Sequence, residues 1–214
     1  MDRFKYVLEA IMPIEAVQTS PGTAVGREVE LLCRTPSPRW TDWYDRLGEV
    51  VLNAVQSLGV SRVAINLDTS QILHPMIARS IAAMGQLPID IEWTEVVSDP
   101  QFVEQAARHL TTWRDRYGFR ISIDDVGMGQ DGYWRAVLTD ARRVKIAGPA
   151  FQQWRQSARA NSMIQRLIGL YRHSGAEVIV EWTETVEDVA QAALMGATHT
   201  QGRIWRSYEI SGII

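Results

Sequence analysis

Polar and charged residues recur at the ends of short apolar runs, and their types suit metal-assisted chemistry. One run carries Glu30, the next closes on Asn66, a third reaches Glu92 with Glu95 beyond it, and a fourth ends in Asp124-Asp125. Later runs carry Lys145, Glu181 followed by Glu184, and Gln201. Steps of 20 to 36 positions separate successive members from Asn66 onward, room for a strand, a crossover helix and the next strand. Five carboxylates brought together repel one another unless some are protonated or cations lie among them. All-oxygen donors favour magnesium or manganese over zinc. Adjacent aspartates let one bridge two ions while its neighbour holds one, and two ions about 3.5–4 Å apart are the usual apparatus for displacement at a phosphodiester. Lys145, the lone cation of the set, would orient or deprotonate the attacking water.

The elements between these residues alternate. Tyr6 to Val17 and Arg27 to Arg34 are extended segments joined by the turn-rich Thr19-Ser20-Pro21-Gly22, which reads as a hairpin. Thr41 is placed to cap a helix whose apolar positions Tyr44, Leu47, Val51, Ala54 and Leu58 keep a helical period up to Gly59. Strands are expected at Arg62–Leu67, Ile89–Trp93, Phe119–Asp124, Arg143–Ala147, Glu177–Trp182 and Ala197–Gln201. Helices are expected around Met76, Ile77, Ile81 and Met84, from the Asp99-Pro100 start along Val103, Ala106, Leu110, Trp113 and Tyr117 to Gly118, and over Trp134–Leu138, Phe151–His173 and Val186–Met195. Eight strands, most followed by a helix, imply parallel neighbours. The predicted class is α/β, a (β/α)8-type barrel whose strand ends share one mouth, with an open doubly wound sheet as the alternative.

Composition narrows the partners. The 214 residues are 46% hydrophobic and 22% charged with a formal net charge of −3, which disfavours a long nucleic acid, because that affinity comes from Lys and Arg neutralising phosphates. Cys33 is the single cysteine, so no disulfide framework exists, as in a reducing cytosol. No apolar run approaches the about 18 residues that span a bilayer, and Met1-Asp2-Arg3-Phe4-Lys5 lacks a signal-peptide pattern; the expected location is cytoplasmic. His74, His109, His173 and His199 share no ligand spacing. Gly127 to Gly132 fits G-x-G-x-x-G, yet two aspartates precede it and no acid follows about 20 residues on, so it is read as a glycine-rich site loop rather than a dinucleotide fingerprint.

The segments Glu30-Leu31-Leu32-Cys33-Arg34, Ile65-Asn66-Leu67, Ile91-Glu92-Trp93-Thr94-Glu95, Asp124-Asp125-Val126-Gly127-Met128-Gly129, Val144-Lys145-Ile146, Glu181-Trp182-Thr183-Glu184-Thr185 and Gly196 to Gly202 resemble, in order, the successive motifs of EAL-domain proteins, the bacterial cyclic-di-GMP phosphodiesterases. The resemblance covers residues 1–214 as one EAL-like domain. It implies a modified TIM-type barrel with an antiparallel first strand, and hydrolysis of cyclic-di-GMP to linear pGpG with two Mg2+ or Mn2+ ions. By motif, Glu30, Asn66, Glu92 and Asp124 would form a first metal site, and Asp124 with Asp125 a second. Glu181 would be a base or second-site ligand, Lys145 and Gln201 would position water, Arg34 would contact substrate phosphate with Leu32 beside it, and Glu95 would anchor the loop after Asp125.

This sequence departs from the family's usual pattern at several positions. Leu31 stands for the alanine of the signature triplet, Val126 and Met128 alter the Asp-Asp loop, and Met12 stands for a glutamine. Trp182 stands for a glycine, and Arg203 to Ser207 replaces the Gly-Arg-Pro tail. A second expectation follows from these changes: a weak or inactive EAL-like protein that serves as a cyclic-di-GMP receptor or protein-binding regulator. A homodimer is the expected assembly if one forms.

Overall fold

Alternation of buried and half-buried residues along Tyr6–Pro13 (β1) gives the first strand one face into the barrel and one toward its surroundings. The structure, a computed structural model, describes residues 4–17, 27–94, 99–128, 132–205 and 207–210. β1 continues into the one-turn helix Ile14–Val17 (α1), and Glu28–Cys33 (β2) returns antiparallel to β1 with Glu9 opposite Glu30. From β2 the pattern changes to strand, helix, parallel strand. The strands are Arg62–Leu67 (β3), Ile89–Trp93 (β4), Arg120–Val126 (β5), Arg143–Ile146 (β6), Glu177–Val180 (β7) and His199–Gln201 (β8), each parallel to its predecessor. β1 pairs antiparallel with β8 as well, through Ile11 opposite Gln201, and so closes an eight-stranded barrel. The modified TIM-type (β/α)8 barrel with an antiparallel first strand is therefore the observed fold.

Helices sheathe the barrel. They are Trp40–Leu58 (α2), Thr69–Leu73 (α3), Pro75–Ala83 (α4), Pro100–Tyr117 (α5), Gly132–Thr139 (α6), Gly148–Gln152 (α7), Ala158–His173 (α8) and Val186–Met195 (α9). α2 buries Trp43, Tyr44, Leu47, Val50, Val51 and Ala54 against the strands, while Leu58 is exposed. The left-handed backbone at Gly59 and Gly118, with φ of 67° and 73°, ends α2 and α5 where a side chain would be strained. Asp99 caps α5 by accepting from the Gln101 amide. No helix among the described residues is long and apolar enough to cross a membrane.

Several local expectations are corrected. Arg39, not Thr41, occupies the N-cap of α2, and no side chain caps it. The expected helix around Met76, Ile77 and Ile81 is α4, opened by Pro75 and closed at Met84; the short α3 before it, where Asp68 forms a capping box with Gln71, was not expected. Phe151–His173 is not one helix: a 3-10 turn at Gln153–Arg155 intervenes, and Ser157 caps α8 by accepting from Ala160. A ninth strand, Ser207–Ile210 (β9), pairs antiparallel with Tyr6–Glu9 of β1 and lies outside the barrel closure.

Inside the barrel the side chains form three levels, as in other barrels of this class. Ile11, Ala64 and Ile179 make a small apolar plug at mid-height. Below it Glu28, Asp90, Arg120, Arg143 and Glu177 form an ion-pair floor. Above it, at the C-terminal ends of the parallel strands, lie the residues singled out for chemistry.

Candidate active site

Each parallel strand delivers one side chain to the mouth two residues above its plug or floor residue, which is the period-2 geometry of a strand. Lys145 rises from β6, fully buried, and its Nζ lies 3.0 Å from Glu30, 2.9 Å from Glu92, 2.9 Å from Glu181 and 3.5 Å from Asp124. Acids from four other strand ends thus meet on one ammonium. Asn66 and Gln201 donate to the two oxygens of Glu30 through their side-chain amides.

The adjacent aspartates need a local device, because neighbouring residues of a regular strand face opposite ways. The β5–β6 register shifts between Ile123 and Val126, and Asp125 takes a left-handed backbone with φ of 57°. That bulge turns Asp125 back to the mouth. Asp124, Asp125 and Glu181 consequently offer oxygens all within 4.8 Å of one another.

Charge is unbalanced here, and proton affinities record it. Burial would lower the Lys145 pKa, but Asp124, Glu181, Glu30 and Glu92 outweigh it and hold the ammonium well above its ordinary range. Burial pushes Glu181 up to about 8 and Asp124 up to about 6, against the pull of Lys145. Glu92 is driven well above the usual carboxylate range by burial, then by Glu30 and Asp124, although Lys145 opposes the shift. Glu30 alone is lowered: despite its burial, Lys145 and the bonds from Gln201 and Asn66 favour its charged form.

The site fits a hard cation on its own chemistry. Asn66 Oδ1, Glu92 Oε1, Asp124 Oδ1 and Gln201 Oε1 are buried acceptors with no hydrogen-bond donor, Asp124 Oδ1 having only its ion pair with Lys145 at 3.5 Å. Buried acceptors are ordinarily satisfied, and four unsatisfied oxygens at one rim beside raised carboxylates are what a divalent ion with oxygen ligands would relieve.

Above this rim opens a cavity of about 700 Å3, lined in part by Glu9, Glu30, Leu32, Arg34, Glu181 and Gln201. Arg34 is half-exposed and pairs with Glu9 at 2.9 Å, so it reaches the cavity wall through an acid partner. Leu32 stands on the same wall. Glu95 lies outside the described residues, as do positions 129–131 of the glycine-rich loop. Glu184 pairs with Arg203. Trp93 is buried with its Nε1 donating to Thr69 at 3.2 Å, whereas Trp182 lines the cavity.

Two contributors are absent from the strand-end reading. Glu9, opposite Glu30 in the antiparallel pair, faces Arg34 and receives the Gln201 amide at 3.4 Å. An acid inside the apolar Tyr6-Val7-Leu8-Glu9-Ala10-Ile11 run was its signal. Arg135 of α6, buried, donates to the carbonyl oxygens of Trp93 and Asp124 and so ties together the strand ends bearing Glu92 and Asp124; nothing in its sequence context marks that role.

Comparison with known proteins agrees with this architecture. The EAL domain family profile matches residues 44–207, a span opening inside α2, after the strands that carry Glu9 and Glu30. No curated protein matches the chain by sequence. Among solved structures, an EAL domain protein from Listeria monocytogenes EGD-e gives a TM-score of 0.77 at 15% identity, covering 96% of this chain and 88% of that one. The FimX EAL domain from Pseudomonas aeruginosa, bound to c-di-GMP, gives 0.72 at 13% identity, covering 99% and 93%. The EAL enzyme Bd1971 in its cAMP and cyclic-di-GMP bound form gives 0.71 at 18% identity and covers 94% of this chain, which spans 61% of that protein's length. Likeness at these identities is a likeness of fold.

Proposed function

Because the chain belongs to the EAL-domain family, we propose that it is a metal-dependent phosphodiesterase that hydrolyses cyclic-di-GMP to linear pGpG. One observation carries the reading: oxygen donors from β2, β3, β4, β5, β8 and the residue after β7 gather around Lys145, with four buried acceptor atoms left unsatisfied. Glu30, Asn66, Glu92 and Asp124 would hold one divalent ion, and Asp124, Asp125 and Glu181 would hold the second. The all-oxygen set selects magnesium or manganese. Bound there, the ions supply the positive charge that activates water and neutralises phosphoryl oxygens in an in-line displacement.

The remaining steps belong to the chain's own groups. Lys145 keeps Glu30, Glu92 and Glu181 in register at about hydrogen-bond distance, and its ammonium orients the attacking water together with the Gln201 amide. Glu181 accepts a proton from that water. The water oxygen bonds to phosphorus, the bond from phosphorus to the ribose 3′-oxygen breaks, and that oxygen takes a proton, which leaves a 5′-phosphate on the linear product. Arg34 holds the second phosphate against the cavity wall beside Leu32. The reading places the protein in the cytoplasm, in keeping with its single, free Cys33, and its small-molecule partner is the cyclic dinucleotide.

A second reading, a receptor that binds the dinucleotide without turnover, is favoured by the Arg34–Glu9 pair, which engages the phosphate-facing guanidinium within the protein. Incubation of purified protein with cyclic-di-GMP and manganese separates the two. The expected result is pGpG, abolished by Glu30→Ala. Saturable binding in calorimetry without product would establish the receptor, and neither signal would leave a protein-binding role.

A further inference from the structure

Trp182 is a large aromatic side chain on the wall of the active-site cavity, more than half exposed, one residue beyond Glu181. Its backbone is left-handed, with φ of 55°. Such a conformation in a bulky residue persists only where the surroundings over-determine it, and they do. Gln152 Nε2 donates to the Trp182 carbonyl at 2.9 Å, and the next residue, Thr183, is fixed by its amide and hydroxyl to the Gln201 carbonyl at 3.1 and 3.0 Å. Asp188, itself buried, accepts from the Glu184 and Thr185 amides and closes the loop from the other side.

The indole has one covered face. A Cβ built on Gly148 would fall 2.0 Å from Trp182 Cγ and 2.4 Å from both Cδ1 and Cδ2. The two flanking atoms are equally distant and only slightly farther than Cγ, which puts that point above the flat of the ring; a point in the ring plane beyond Cγ would lie much farther from both. The indole therefore lies face-down on the Gly148 backbone, and its exposed surface belongs to the opposite face. An open aromatic face fixed by backing and loop, in the cavity that Arg34 and Arg203 also line, suits a ligand that combines a planar base with phosphate. Stacking of that kind is sequence-tolerant but stronger for larger rings.

We propose that Trp182 is the stacking platform for one purine of the bound substrate and a specificity-determining residue of the site. The assignment rests on the dinucleotide reading above. It predicts that Trp182→Ala raises KM for cyclic-di-GMP about tenfold with kcat within about twofold, a loss of binding shared by ground and transition states. Trp182→Phe restores most of the affinity. Gly148→Ala, whose methyl group expels the indole from its seat, reproduces the alanine variant. The preference for cyclic-di-GMP over cyclic-di-UMP shrinks in both Trp182→Ala and Gly148→Ala, an effect that a purely structural role would not produce. If the wild type binds without turnover, calorimetric Kd takes the place of KM. A Trp182→Ala protein with affinity within about twofold of wild type, or with an unchanged base preference, overturns the stacking role and leaves the phosphodiesterase reading intact. A wild type that neither hydrolyses nor binds cyclic-di-GMP overturns both.

Discussion

At the floor of the barrel Glu28, Asp90 and Glu177 face Arg120 and Arg143, whereas at the mouth Glu30, Glu92, Asp124 and Glu181 face Lys145 alone. The two levels are built from the same strands, with Ile11, Ala64, Ile179 and the buried Ser122 between them. Two forked guanidiniums can each serve more than one carboxylate, and on the floor they do. Arg120 reaches Glu28 and Asp90 at 2.8 Å each, while Arg143 Nε donates to Glu177 at 2.9 Å. The terminal nitrogens of Arg143 stand 2.6 Å from Glu28 and 2.7 Å from Glu177 as ion pairs, off the angles of a hydrogen bond. Burial alone would raise the Glu28 pKa, but Arg120 and Arg143 bring it down to about 2. One ammonium at the mouth cannot do the same for four acids. A nearly balanced level is a structural brace, whereas the more deeply buried, acid-rich level has the charge pattern that a cation would complete.

The largest test breaks the brace. Arg143→Met leaves three carboxylates short of a partner beneath the plug, and removal of one member of a buried ion pair costs about 3–5 kcal/mol. For a chain of this size that is a fall in Tm of roughly 10 °C, read by thermal unfolding in EDTA so that the mouth does not contribute. A fall of less than about 2 °C would class the floor with exposed ion pairs and remove the contrast.

The matching change at the mouth has the opposite signature. Glu92 is buried, carries an oxygen with no donor and favours its protonated form; Glu92→Gln imitates that neutral form. The metal-free protein is expected to keep its Tm or gain about 1 kcal/mol of stability, while turnover drops on the order of 10²-fold. Stability and activity measured side by side decide it, since a destabilised variant would make Glu92 a brace residue like Asp90.

Much of this contrast was legible in the amino-acid sequence, and unevenly so. The mouth residues announce themselves because an acid or amide closing an apolar run is unusual in a buried strand, and the 20-to-36-residue steps put them on separate βα units. Of the floor residues, Glu28, Arg120, Arg143 and Glu177 sit at strand starts and look like ordinary solvated flanks. Only barrel closure turns them inward. The break at Gln153–Arg155 was hidden because Phe151, Ile164, Ile168 and Tyr171 continue an apolar pattern across it, although Ser157 offered a cap signal. Glu9 was missed because β1 runs opposite to its neighbours, so its mouth residue lies near its start instead of its end.

Divalent ions sharpen the comparison further. Asp124 and Glu181 hold protons in the folded chain to about 6 and 8, above their ordinary 3.8 and 4.5. Folded-state pKa values above the unfolded ones mean that metal-free stability falls as pH rises from about 4 to about 8. Ions held by these carboxylates would have to displace those protons, and so would bind more tightly at the upper end. At a concentration 100 times Kd the gain is about 2.7 kcal/mol, expected as an upward Tm shift of several degrees with magnesium or manganese at pH 8, a small shift at pH 5, and reversal by EDTA. An equal shift at both values would detach metal binding from these carboxylates.

The floor should show the reverse dependence. Glu28 is lowered to about 2 from 4.5, because the bonds and charges of Arg120 and Arg143 outweigh its burial. A depressed folded-state pKa contributes stability that is complete above about 4.5 and is lost as pH falls toward 2. Full conversion of the shift gives about 3 kcal/mol, and with a quarter of the side chain in solvent the screened contribution is nearer 1–2 kcal/mol. Glu28→Gln is therefore expected to lower stability by that amount at pH 7 and to flatten the acid limb of the stability profile between pH 4.5 and 2, measured by urea unfolding across that range. Glu181→Gln at the mouth should leave the acid limb unchanged and instead remove part of the decline between pH 5 and 8. Identical profiles for the two variants would mean that the floor and the mouth titrate as one unit.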